Sequence, residues 1–134
     1  MTIGITTNKL GKQVFLEHAF MGSPTTSLAS QFKIGSGQVL LDENAEDLTT
    51  PVAFTGVDML KDFTSGFPTI SVVSTPEVTI NCRVSANEAV GENLNTMAIF
   101  NTDATPKIMI QMNYTEESKS ATDEFVFIVR NRVL

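Results

Sequence analysis

The sequence predicts a mainly β protein: an antiparallel β-sandwich, jelly-roll-like, with one α-helix near its N-terminus. Three observations carry that expectation. Val78, Ile80, Cys82 and Val84 alternate with Thr79, Asn81 and Arg83. Ile108, Ile110, Met112 and Tyr114 alternate with Met109, Gln111 and Asn113. A period of two sends one row of side chains to a buried face and the other toward solvent or a neighbour. The apolar run from Phe125 to Val129 adds a further strand, and no helix separates these C-terminal strands. That favours antiparallel over parallel pairing.

In chain order, Met1 to Thr7 reads as an extended arm, able to add a strand to the sheet edge of a neighbouring subunit. Residues 8–21 read as a packed helix. Leu10, Val14, Phe15 and His18 fall at helical spacing, and Leu16, Ala19, Phe20 and Met21 widen the apolar stripe. Thr7 or Asn8 supplies an N-cap, and Gly22-Ser23-Pro24 ends the element through a glycine C-cap and a proline that cannot continue it. Gly11 weakens the first turn.

Gln31 to Ile34 forms a short strand closed by Gly35-Ser36-Gly37. Asp42 to Asp47 is an acidic loop or a single helical turn, and Pro51 to Phe54 enters another strand. Residues 58–68 mix both periods. Thr69 to Val73 is a strand by its β-branching, and Pro76 separates it from the strand 78–84. Residues 87–95 form a loop, Met97 to Phe100 a short buried strand, 102–106 a turn, and 116–123 the polar turn before the last strand. The expected total is one helix and six or seven strands in a single domain, residues 1–134.

Composition bounds the function. A chain of 134 residues with 42% apolar residues supports one sizeable core. Only 18% of residues are charged. A surface that is polar but lightly charged can bury against partners without desolvating many ions, which fits life in an assembly. The net charge is −6. Arg83, Arg130 and Arg132 are the only arginines, and no basic stripe for phosphates is present, so no nucleic-acid partner is expected. These arginines read as charged strand edges that guard against aggregation. No stretch reaches the roughly 18 apolar residues of a membrane span, so no membrane partner is expected. The N-terminus lacks a basic start and apolar core, which implies synthesis in a reducing cytoplasm.

Catalytic and metal chemistry finds little footing, and no catalytic, cofactor or metal residue is assigned. His18 is the only histidine and Cys82 the only cysteine. A zinc site would need both, plus carboxylates, with no ligand pair close in sequence. A core or interface histidine and a small buried hydrophobe fit these positions better. Gly35-Ser36-Gly37 lacks the lysine and spacing of a phosphate loop. Asp42, Asn44 and Glu46 alternate like a calcium loop, but Asp47 stands where its glycine is needed and Ala53 where its last carboxylate is needed. Glu116-Glu117 and Asp123-Glu124 flank the last turn, where solvation suits them better than glycoside chemistry. Asn113-Tyr114-Thr115 matches a glycosylation sequon, without meaning unless the chain is secreted. No Trp and one Tyr count against a carbohydrate or small receptor site.

The order of motifs resembles a module of tailed-phage virion proteins, best known as the N-terminal domain of tail-collar fibres. Thr7-Asn8-Lys9-Leu10-Gly11 leads into the helix, and Phe32-Lys33-Ile34-Gly35-Ser36-Gly37 is similar to the family's glycine phrase. Glu46-Asp47-Leu48-Thr49-Thr50-Pro51-Val52 stands for its acidic, Thr-rich segment. Ala86-Asn87-Glu88-Ala89-Val90-Gly91 resembles its loop, and Met97-Ala98-Ile99-Phe100-Asn101 its short strand. Ile108-Met109-Ile110 and Phe125-Val126-Phe127-Ile128-Val129 stand for the closing strands. Ala98 replaces the usual glycine, and the acidic residue before the short strand is missing. The likeness covers nearly the whole chain in order rather than identity. It implies a fold and a virion setting and transfers no site.

Tail-collar fibres continue beyond this module, and a strand placed five residues before Leu134 leaves no room for that continuation. The resemblance therefore implies a free-standing, non-enzymatic structural protein of a phage virion. It would act as an adaptor, collar or baseplate, or decoration subunit, in contact with other virion proteins and with copies of itself in closed symmetry. A receptor- or glycan-binding module of the particle is the alternative, followed by a small cytoplasmic regulator and, last, an enzyme.

Overall fold

A computed structural model describes residues 3–132. The chain is an antiparallel sandwich with a single helix near its N-terminus, as its patterning predicts. Nine strands appear among the described residues: β1 (Gly4–Thr7), β2 (Ala29–Gly35), β3 (Pro51–Val52), β4 (Lys61–Asp62), β5 (Thr69–Ser71), β6 (Glu77–Val84), β7 (Asn93–Asn101), β8 (Ile108–Ser118) and β9 (Phe125–Arg132). The helix, α1, spans Lys9–Phe20. The larger sheet has six strands in the order β1-β8-β7-β2-β3, with β4 also on β2. The smaller has three, β5-β6-β9. Residues 53–60 loop out between β3 and β4, which together form one interrupted edge strand.

Directly opposed residues share a face, so the register defines the core. Phe32 opposes Ile99 and Ile34 opposes Met97; these oppose Ile110 and Met112 in turn. On the small sheet Ile80, Cys82 and Val84 oppose Val129, Phe127 and Phe125. The two rows meet as one apolar core, joined by Phe54, whose ring meets Phe32 edge-on at 5.2 Å. The alternation in 78–84 and in 110–114 is thus the alternation of inner and outer faces, whereas Ile108, expected on the inner row, lies on the outer face because a register shift at Met109 reverses the order.

The large sheet is covered on its outer face too. Residues 36–50 cross it, and Leu48 packs on Ala98, Phe100 and Ile108. Gln38 and Asn95 exchange hydrogen bonds of 3.0 and 2.8 Å, and the Leu40 carbonyl accepts from the Asn113 amide at 3.3 Å. Strand β7 is therefore buried from Leu94 to Asn101 on both faces. That explains why residues 93–95, expected in a loop, extend it. Glu116 and Glu117, expected in the last turn, instead prolong β8, where Leu94 opposes Glu117.

Two features of the N-terminal region correct the sequence reading. Residues 4–7, expected as an arm for a neighbour, pair with β8 of the same chain, Gly4 opposite Asn113 and Thr7 opposite Ile110. Met1 and Thr2 of that arm lie outside the described residues. Asn8 precedes the helix in extended conformation but makes no side-chain cap. Its amide continues the β1–β8 ladder to the Met109 carbonyl, and its side chain donates to the Ala45 carbonyl at 2.9 Å. The helix ends without a glycine cap: Met21 turns extended, and the Glu17 carboxylate holds the returning chain at Thr25.

Candidate interaction surfaces

The residues with the most reactive chemistry stand apart from one another. Cys82 is fully buried between the sheets, and burial pushes its thiol up to about 12. His18 is exposed on the helix, where its Nε2 lies 2.7 Å from the Thr26 carbonyl. Gly35-Ser36-Gly37 leads out of β2, and Gly35 is there for closeness: a Cβ would lie 2.8 Å from the Thr50 carbonyl and 2.9 Å from the Thr96 methyl. Asp42, Asn44 and Glu46 lie on the outer loop, where Asp42 caps the Asn44 amide. No group of three His, Cys, Asp or Glu among the described residues is arranged to hold a metal ion. Asn113 of the sequon is buried under Leu40. No helix among the described residues is long and apolar enough to cross a membrane.

Charges on the small sheet are paired side by side. Arg132 and Arg130 both meet Glu77, the latter at 3.7 Å, and Arg83 meets Glu124 at 3.9 Å. The three arginines therefore do not converge into a basic patch. The two cavities described are open clefts of about 330 and 250 Å³, the first lined by Lys61, Phe63 and Arg83, the second by Asn8, Glu43 and Lys107.

Sequence patterning missed two buried ionic side chains. Glu17 accepts from the Thr25 hydroxyl at 2.5 Å and the Thr25 amide at 2.9 Å. Those bonds hold its carboxyl down at about 2. Lys119 is 1% exposed, and its ammonium donates to the carbonyls of Ala86 and Ser120, each at 3.0 Å. A carboxylate three residues from Val14, on the side that packs inward, was the available signal for Glu17. Lys119 sits in a polar stretch and left none.

The helix presents the clearest surface. Gly11, Val14 and Glu17 are its buried residues, and Leu10 packs beside Val14. At 100° per residue these cluster on one side. The opposite side carries Phe15, Leu16, Ala19 and Phe20 toward its C-terminal end, and Lys9 and Lys12 on the same side in its first turn. Phe20 is 79% exposed, Leu16 55% and Phe15 49%. Only Leu10 and Val14 of the expected stripe reach the core, so the helix turns most of its apolar surface outward. Met21 and Leu28, beyond the helix end, are exposed as well.

A second surface is the rim shared by β1 and β9. Both are end strands of their sheets, and β9 pairs with β6 alone. Val126 and Ile128 project from its outer face, half exposed. Comparison with family models, with curated proteins and with solved structures finds no match to this chain.

Proposed function

We propose that this chain is a non-enzymatic structural subunit of a tailed-phage particle, working through contacts with other virion proteins and with its own copies. The observation that carries the reading is the helix turned apolar side out. A soluble monomer gains nothing from holding Phe15, Leu16 and Phe20 in water, whereas a contiguous exposed apolar patch marks an interaction site. The motif order that resembles the tail-collar module supports the virion setting. Closed symmetry supports a ring or trimer, because repeated copies of one patch are then all satisfied. Adaptor, collar or baseplate, and decoration roles all fit a β module of this size.

The test is the copy number of this chain in purified particles, by quantitative mass spectrometry against a known capsid protein. Hundreds of copies mean capsid decoration, and a small multiple of three or six means neck, collar or baseplate. Absence from particles overturns the reading. A Leu16→Glu, Phe20→Glu double variant should fold normally and be lost from particles.

A further inference from the structure

Among the described residues strand β9 is an open edge, guarded by charge at Arg130 and Arg132 but not along Phe125 to Val129. All eight of its residues pair with β6 in unbroken register, without a bulge, and it contains no proline. Alternate residues along it aim their backbone N–H and C=O at the free side. Its outer row runs Val126, Ile128, Arg130 and Arg132, with Glu124 just before it; Glu124 already meets Arg83, and both arginines meet Glu77.

The space beside that edge has a floor. The Phe127 ring meets Tyr114 at 5.5 Å, which places β9 opposite β8. The large sheet continues one strand further, to β1, and the small sheet does not. Ile5 opposes Met112, which packs in the core, so Ile5 faces the layer of the small sheet. Ile3 follows the same alternation. Yet Ile5 is 57% and Ile3 60% exposed, because nothing described lies over them.

We propose that this slot takes an extended segment of another polypeptide, which joins the small sheet as a fourth strand beside β9. The slot is one strand wide, about 4.8 Å. It suits a lone arm and not a second sandwich: edge-to-edge pairing of two whole copies would drive the overhanging β1 of each into the β8 of the other. An arm running antiparallel to β9 presents a base to Glu124, an acid to Arg130, and apolar side chains to Val126 and Ile128. Its inward row is apolar and covers Ile3 and Ile5. Main-chain bonds supply affinity and these rows supply selection. The inference stands apart from the virion reading, since it requires only a second chain.

The probe is a synthetic peptide copying residues 124–130, N-methylated at alternate residues on one edge to stop self-stacking. Laid antiparallel about Phe127, it sets Glu against Arg and Val against Ile at every outer position. Added to the full chain, it should slow amide exchange along β9 and shift Ile3 and Ile5 in NMR spectra. The same peptide with Glu and Arg exchanged should bind about tenfold more weakly. Ile5→Lys in the chain, at an exposed position, should weaken binding while the fold persists. No binding at millimolar peptide overturns the proposal. So does equal binding of the exchanged peptide, protection at another sheet edge, or a dimer of the free chain with β9 amides already protected.

Discussion

Gly11 of the helix lies directly against the carbonyl oxygen of Met109. A Cβ there would fall well inside contact distance of that oxygen and 3.0 Å from the Thr7 methyl. Met109 occupies a register shift in β8, where Ile99 and Phe100 oppose Ile110 and Ile108 with one residue left over. The bulge turns Met109 into the core beside Ile110, and its carbonyl accepts the Asn8 amide at 2.8 Å. The glycine that weakens the helix locally is what lets the helix dock.

Gly11→Ala weighs two effects. Helix propensity favours alanine by roughly 1 kcal/mol, and overpacking against a fixed carbonyl costs roughly 1–3 kcal/mol. Packing wins, because the oxygen belongs to a hydrogen-bonded bulge and cannot retreat. Urea unfolding should show a net loss of up to about 2 kcal/mol. A gain in stability would mean that the helix moves freely on β8.

Glu17 makes the fold sensitive to acid. Its folded carboxyl sits at about 2, below an ordinary value of 4.5, held by the Thr25 hydroxyl first and the Thr25 amide second. The stabilisation is thus complete above pH 4.5 and drains away as pH falls toward 2. Glu17→Gln should be less stable than the native chain at pH 7 and converge with it near pH 2. Thermal melts of both chains across that range check this; parallel curves would exclude Glu17 as a source.

Lys119→Met keeps the aliphatic stem and removes the donor that Ala86 and Ser120 share. Removing a buried charge relieves desolvation, but two carbonyls lose their partner, at roughly 1–3 kcal/mol for each buried group left unsatisfied. A net loss of about 2 kcal/mol is expected in denaturant melts. Hydrogen exchange should quicken first at the amides of Gly91 and residue 119, since the Gly91 amide donates to the carbonyl of residue 119 and the amide of residue 119 donates to the Glu92 carbonyl. An unchanged melt would show that water replaces the ammonium.

Cys82 should be silent toward a disulfide reagent in the native protein. The thiol is fully buried and pushed up to about 12, so thiolate is scarce and access is closed. Modification at pH 8 should follow the unfolding rate and become immediate in denaturant. Fast labelling of the native chain would mean that the sheets part locally around Cys82.

Strands β6 and β9 of the small sheet were legible because each has one wet face and one drier face, and period two reports that contrast. Strand β7 was legible as a short buried strand at Met97 to Phe100 but not in its full extent: Ala98 and Phe100 are covered by residues 36–50 while Met97 and Ile99 face the core, so alternation vanishes. The helix was legible as a helix, yet its orientation was not. The wheel holds apolar residues on both sides, and small Gly11 with hydrogen-bonded Glu17 took the inner one. Pairing of residues 4–7 with 110–113 leaves no local trace, because β1 is short and half exposed. The outward apolar face of α1 was therefore readable only once the fold had chosen which side to bury.

Docking of α1 on Met109 also sets an order of events during synthesis. The helix is made well before β8, which receives it. At 5–20 residues per second the wait is roughly 5–20 s. Throughout it Leu10 and Val14 are as bare as Phe15 and Phe20, so the nascent helix is at its stickiest before the strand that receives it exists.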